Sequence, residues 1–228
     1  MKDEKLLSRF LRDTAHHNVI IERDEGVYRH LIFKAPGTNS YRFDIITWPG
    51  YLTVTGDMGT WTFSRERDMI THFFPAGTAG GINPGYWYEK IEAGTHGGRE
   101  AICYDFDDEA FEKSLKEWLG AWREDRDEDD IEKAEEVIQS LINEGFSDAR
   151  SACYAVYNAN WPMGVDSFEI AESIGYSLMK YSLHFLWICY AVVWGIERYL
   201  STKLVNKSMS TFLACHALTK DVDYREAA

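Results

Sequence analysis

His30 and Asp44 are two residues whose types could together move a proton. Each falls in a segment of alternating hydrophobicity. If neighbouring strands pair in order, the imidazole and the carboxylate meet on one sheet face. A carboxylate that orients an imidazole is a common acid–base arrangement. Asp57, in the glycine-flanked loop Thr55-Gly56-Asp57-Met58-Gly59-Thr60, and Tyr86, in the aromatic trio Tyr86-Trp87-Tyr88, could complete a small-molecule or nucleotide site. Each residue also has a plain structural reading. A strand His beside an Asp forms ordinary hydrogen-bonded pairs, an Asp in a bent hairpin turn satisfies local backbone donors, and clustered aromatics fill cores and interfaces.

The motifs that would raise these groups to a catalytic assignment are missing. No phosphate-binding glycine loop, no His-Glu-x-x-His pair and no Gly-x-Ser-x-Gly elbow is present, and none of the seven histidines has a second His four residues on along a helix. No metal, no cofactor and no catalytic residue is expected.

The most distinctive charge feature is the run Glu124, Asp125, Arg126, Asp127, Glu128, Asp129, Asp130, followed by Glu132, Glu135 and Glu136. One reading is a solvated linker whose Asp129 or Asp130 caps the next helix. The other is a phosphate-like row of carboxylates that occupies a nucleic-acid channel or a basic protein surface. Glu124, Asp125, Asp127, Glu128, Asp129 and Asp130 are then the partner-binding residues. The formal charge of −13 agrees with a basic partner and opposes direct binding of nucleic-acid phosphates.

The four cysteines lie far apart and include no Cys-x-x-Cys pair, so reduced thiols are expected. The charged start Met1-Lys2-Asp3-Glu4-Lys5 has no signal-peptide character, and the apolar run from Leu183 to Ile196 is shorter than the ~20 residues a membrane-crossing helix needs. The expected location is the cytoplasm.

These residues require an α+β fold: an N-terminal antiparallel sheet meander packed by helices, then a mostly helical C-terminal portion. A helix from about Glu4 to Thr14 precedes five strands, Asn18 to Arg23, Val27 to Lys34, Tyr41 to Trp48, Tyr51 to Thr55 and Thr60 to Phe63. Their turns use Gly26, Pro49-Gly50 and Gly56 to Gly59. Alternation puts Tyr41, Phe43 and Ile45 on one face, and Arg42, Asp44 and Trp48 on the other. Ser64 reads as the cap of a helix through Met69 and Phe73, and Asn83-Pro84 opens another through Tyr86, Trp87 and Ile91. Apolar stripes at helical spacing follow in Phe111 to Trp122 and Ile131 to Ile142. The expected division is residues 1–123, an acidic linker at 124–130, and a helical portion at 131–228. In the apolar helix from about Ser182 to Leu200, Trp187, Tyr190 and Trp194 could anchor a homodimer.

The segments Gly26-Val27-Tyr28-Arg29-His30-Leu31, Phe43-Asp44-Ile45-Ile46-Thr47-Trp48-Pro49-Gly50 and Thr55-Gly56-Asp57-Met58-Gly59-Thr60, with Ile82-Asn83-Pro84-Gly85-Tyr86-Trp87 and Phe185 to Ala191, resemble a family of hypothetical proteins encoded in tailed phages and prophages. The resemblance is dense over residues 26–91. It implies a mobile-element origin and a bacterial cytoplasm, and it brings no catalytic residues. In that setting the expectation is an accessory protein that inhibits a host antiviral complex, such as a CRISPR effector, by stoichiometric binding. The alternatives are an enzyme built around His30, Asp44, Asp57 and Tyr86, or a homodimeric regulatory or structural module.

Overall fold

The structure is a computed structural model that describes residues 2–74, 81–94, 98–175 and 178–223, with side chains placed except at 2–3, 125 and 217–223. It is α+β and forms two compact units, one of residues 1–102 with 183–228 and one of residues 103–182.

The first unit is built on a six-stranded antiparallel sheet whose strands lie side by side in chain order. These are β1 (Asn18–Glu25), β2 (Tyr28–Lys34), β3 (Phe43–Trp48), β4 (Tyr51–Gly56), β5 (Gly59–Ser64) and β6 (Ile91–Gly94). Gly26 turns the first hairpin at a φ of 64°, a conformation that glycine adopts without a Cβ penalty. Pairing sets Leu31 opposite Ile45, Ile45 opposite Val54 and Val54 opposite Trp61. One face is therefore continuously apolar, and Leu31, Phe33, Phe43, Ile45, Leu52, Val54, Trp61 and Phe63 are all buried. The other face carries His30, Asp44, Thr53, Thr55, Thr60 and Thr62.

Two helices from opposite ends of the chain cover the apolar face, α1 (Lys2–Asp13) and α8 (Leu183–Asp223). The Phe10 ring lies 5.0 Å from Trp187 and 6.1 Å from Trp194, and Trp194 also packs on Phe33 and Phe43. Trp187 and Tyr190 are buried. The three aromatics expected to anchor a homodimer are thus engaged in this unit's own core. Among the described residues, no helix is long and apolar enough to cross a membrane.

Two local expectations are corrected. Ser64 ends β5, and the cap of the following turn is Asp68, whose carboxylate accepts from the N–H groups of Ile70 and Thr71. That turn, Met69–Phe73, is π-helical. Asn83 does cap α2 (Pro84–Tyr88), but Ile91 leaves the helix to start β6 beside β5, giving six strands where five were expected. A four-residue strand is too short to announce itself by alternation.

The second unit contains α3's last residue, Cys103, the ribbon β7 (Tyr104–Phe106) with β8 (Met179–Tyr181), and helices α4 (Asp108–Trp122), α5 (Glu128–Glu144), α6 (Ala149–Asn158) and α7 (Ser167–Gly175); α3 itself is Arg99–Cys103. The ribbon joins the segments that enter and leave the unit, and Ser182 donates its N–H to the Cys103 carbonyl at 2.8 Å. Phe106, Phe111 and Leu115, which precede the acidic run, share one core with Ile138, Leu141, Val156 and Ile170, which follow it. The expected break at 124–130 therefore falls inside a packed unit. The observed division follows burial: α8 belongs with the N-terminal sheet because that sheet supplies the apolar face opposite it.

Candidate functional site

Strand alternation brings together one of the expected pairs. His30 Nε2 lies 2.9 Å from Asp44 Oδ2. Arg42, which alternation places on the face of Asp44, closes the group with two hydrogen bonds of 2.9 Å to Oδ1 and Oδ2. Burial pulls the Asp44 carboxyl upward, but the bonds and charges of Arg42 and His30 outweigh it and hold the group below its ordinary value. An anionic Asp44 only accepts hydrogen bonds, so it fixes the imidazole and leaves Nδ1 as the ring atom for proton exchange. Arg42 was not singled out from the sequence; the signal was its i, i+2 spacing from Asp44. The threonines alongside satisfy one another, at 2.9 Å for Thr53 with Thr62 and 2.7 Å for Thr55 with Thr60.

Asp57 and Tyr86 have other partners. Asp57 Oδ2 accepts the Tyr41 N–H at 2.6 Å, and the Asp57 N–H donates to the Arg42 carbonyl at 3.0 Å. The Tyr86 ring sits 5.7 Å from Phe73 and under the Lys90 ammonium at 4.8 Å. Its helix leads into β6, whereas His30 lies on β2, with three strands between. The expected four-residue site contracts to His30, Asp44 and Arg42. Among the described residues, no group of three or more His, Cys, Asp and Glu could hold a metal.

The acidic run spans a 3₁₀ turn, a two-residue link at Arg126 and Asp127, and the first turn of α5. Arg123–Asp125 form a 3₁₀ turn after α4, and Arg126 lies over the Trp122 ring at 5.0 Å. Asp127 occupies the cap position of α5 without a side-chain cap bond; its carbonyl accepts from Asp130 and Ile131 at 3.1 Å. Asp129 and Asp130, the expected caps, instead sit with Glu128 in the first turn, where carboxylates oppose the positive end of the helix dipole. The side chain of Asp125 lies outside the described residues. Glu124, Asp127, Glu128 and Asp129 are exposed, and Asp130 pairs with Lys133 at 3.6 Å.

The charge extends well beyond the run. Ile131, Ala134, Ile138 and Leu141 bury one side of α5. Glu128, Glu132, Glu136, Ser140 and Glu144 follow one another at intervals of four on its exposed surface. Residues at that spacing form a ridge, rising about 6 Å per step. The ridge ends at a groove between α5 and α6 with a volume of about 720 Å³, lined in part by Val137, Leu141, Glu144, Phe146 and Tyr154. Sequence reasoning missed this groove because its walls come from two helices and an intervening turn. A second hollow of about 500 Å³ borders it, where Tyr154, Tyr157 and Phe168 stand exposed.

Compared with protein-family models, with curated proteins and with solved structures, the chain matches none.

Proposed function

We propose that the chain is an accessory protein of a phage or prophage that inhibits a host antiviral complex, such as a CRISPR effector, by stoichiometric binding to a basic surface. The carrying observation is the carboxylate ridge of α5. It is exposed, held by a helix whose opposite side is buried, and continuous with the acidic turn before it. Fixed charges along one side of a helix complement a surface built for phosphates, and such complementarity speeds encounter and selects partners. The net charge of −13 acts in the same direction. The resemblance to a prophage-encoded family supports the biological setting, and with it the proposed location in the cytoplasm of a bacterial host.

The test is a purified defence complex titrated with the protein at rising salt. The expected result is one-to-one inhibition that weakens with salt. Two variants separate the contributions: one with Glu124, Asp125, Asp127, Glu128, Asp129 and Asp130 changed to Ser, and one with Glu132, Glu136 and Glu144 changed to Gln. Inhibition unchanged in both would end the acidic mechanism.

A second reading is favoured by the Arg42 clamp on Asp44. A fixed carboxylate beside a half-buried imidazole is equipped for acid–base chemistry on a small molecule or nucleotide. Turnover of a nucleotide panel would have to fall in His30→Gln and in Asp44→Asn. Activity that survives both removes this site.

A further inference from the structure

We infer that the groove between α5 and α6 is a docking site for a cationic peptide segment that carries one large apolar side chain. This rests on the reading of α5 as a partner surface and specifies the element that the partner would insert. The groove has two chemically different parts. Its apolar lining comes from Val137, Leu141, Phe146, Ala155 and the Tyr154 ring, beside serine and asparagine side chains. Tyr154 is 70% exposed, so its ring face is open to a partner side chain. Glu144 stands in the lining itself.

Charge complementarity selects the occupant. Glu144 is the last residue of the ridge that passes back through Ser140 to Glu136, Glu132 and Glu128. A segment seated in the groove therefore continues along a line of carboxylates. From Glu128 to Glu136 their rise of about 6 Å matches cations four residues apart on a helix, and is close to the ~6.6 Å between alternate residues of an extended strand; across Ser140 the step to Glu144 doubles. Asp148, at the start of α6, adds a carboxylate held below its ordinary value chiefly by the Ser151 backbone N–H. Of the cations in this stretch, Lys133 pairs with Asp130, and Arg150 lines the neighbouring hollow and not the groove. An acidic or neutral segment would meet repulsion or no attraction along this path, and a polyanion would be repelled.

The experiment uses the full chain and three labelled synthetic peptides of equal length. One alternates Lys with Ser around a central Trp, one replaces that Trp by Ser, and one replaces every Lys by Glu. Binding is followed by fluorescence anisotropy at two salt concentrations and by amide chemical-shift mapping. The expected result is at least tenfold tighter binding of the Lys and Trp peptide than of its Ser counterpart, with shifts concentrated in residues 136–160. Tyr154→Ser should collapse that tenfold ratio and leave the salt dependence unchanged. Glu136→Gln with Glu144→Gln should flatten the salt dependence of both cationic peptides. Tyr154, Glu136 and Glu144 are exposed, and unchanged thermal unfolding of the variants confirms that they fold.

Equal affinity for the Trp and Ser peptides overturns the groove assignment while leaving the acidic ridge standing. Salt dependence that survives the double Glu variant removes the ridge as well. Comparable binding of the Glu peptide, or a dimer of the chain that Tyr154→Ser dissociates, also overturns the proposal, the latter by giving the groove to a second copy.

Discussion

Asp57 accepts the backbone N–H of Tyr41 at 2.6 Å, while the His17 ring reaches the Tyr41 carbonyl at 3.0 Å. Tyr41 is held between them at a φ of 57°, a left-handed conformation that costs a non-glycine residue of order 1–3 kcal/mol. Removing the Asp57 acceptor leaves that strain opposed only by the His17 contact. Asp57→Ala should lower unfolding free energy by about 1–3 kcal/mol in urea denaturation. A change within about 0.5 kcal/mol would show that the loop does not need the carboxylate.

Arg29 donates to both carboxylate oxygens of Asp68, at 2.9 and 2.8 Å, and joins the sheet to the cap of the π-helical turn. Burial pulls the Asp68 carboxyl upward, but the Arg29 bonds and charge, helped by Thr71, hold it below the ordinary range. A depressed folded pKa contributes stability above the unfolded value of about 4, lost as pH falls through the folded value. Asp24 and Asp44 are held low in the same way. Urea midpoints should therefore drop between pH 7 and pH 3. Asp68→Asn should start lower at pH 7 and lose less on acidification; an equal loss in both proteins would assign the acid response to other groups.

Gly195 packs α8 closely against the Ile45 and Phe33 side chains of the sheet. A Cβ there would lie 2.8 Å from Ile45 Cδ1 and 3.1 Å from Phe33 Cζ. In a helix Ala gains up to about 1 kcal/mol over Gly, but overpacking costs about 1–3 kcal/mol. Gly195→Ala should thus be destabilising on balance, and Ile45→Val should recover part of the loss when the two are combined. Stabilisation by Gly195→Ala alone would mean that the contact yields without cost.

The thiols differ in access. Cys215 is exposed, Cys103 and Cys189 are buried, and burial pushes the half-buried Cys153 thiol upward. Thiolate character and access set the rate of disulfide exchange. An aromatic disulfide reagent should label the native protein rapidly at one thiol, and Cys215→Ser should abolish that phase. A fast phase that persists in the variant would place a second reactive thiol at the surface.

Near-neighbour chemistry alone determines much of this protein. Alternation orders β1 to β5, Gly26 and Pro49-Gly50 turn the hairpins, Asn83-Pro84 opens α2 and Asp107 caps α4, because each depends on backbone preferences within a few residues. The His30 and Asp44 pair was legible for the same reason: consecutive strands in a meander pair by register. Periodicity states which side of an element is buried, but not what buries it. That choice belongs to packing between residues far apart in the chain, so tertiary structure alone decided that α8 covers the N-terminal sheet and that the acidic run lies within one unit. It also decided that Asp57 serves Tyr41, and that the ridge of α5 ends at a groove whose other wall is α6.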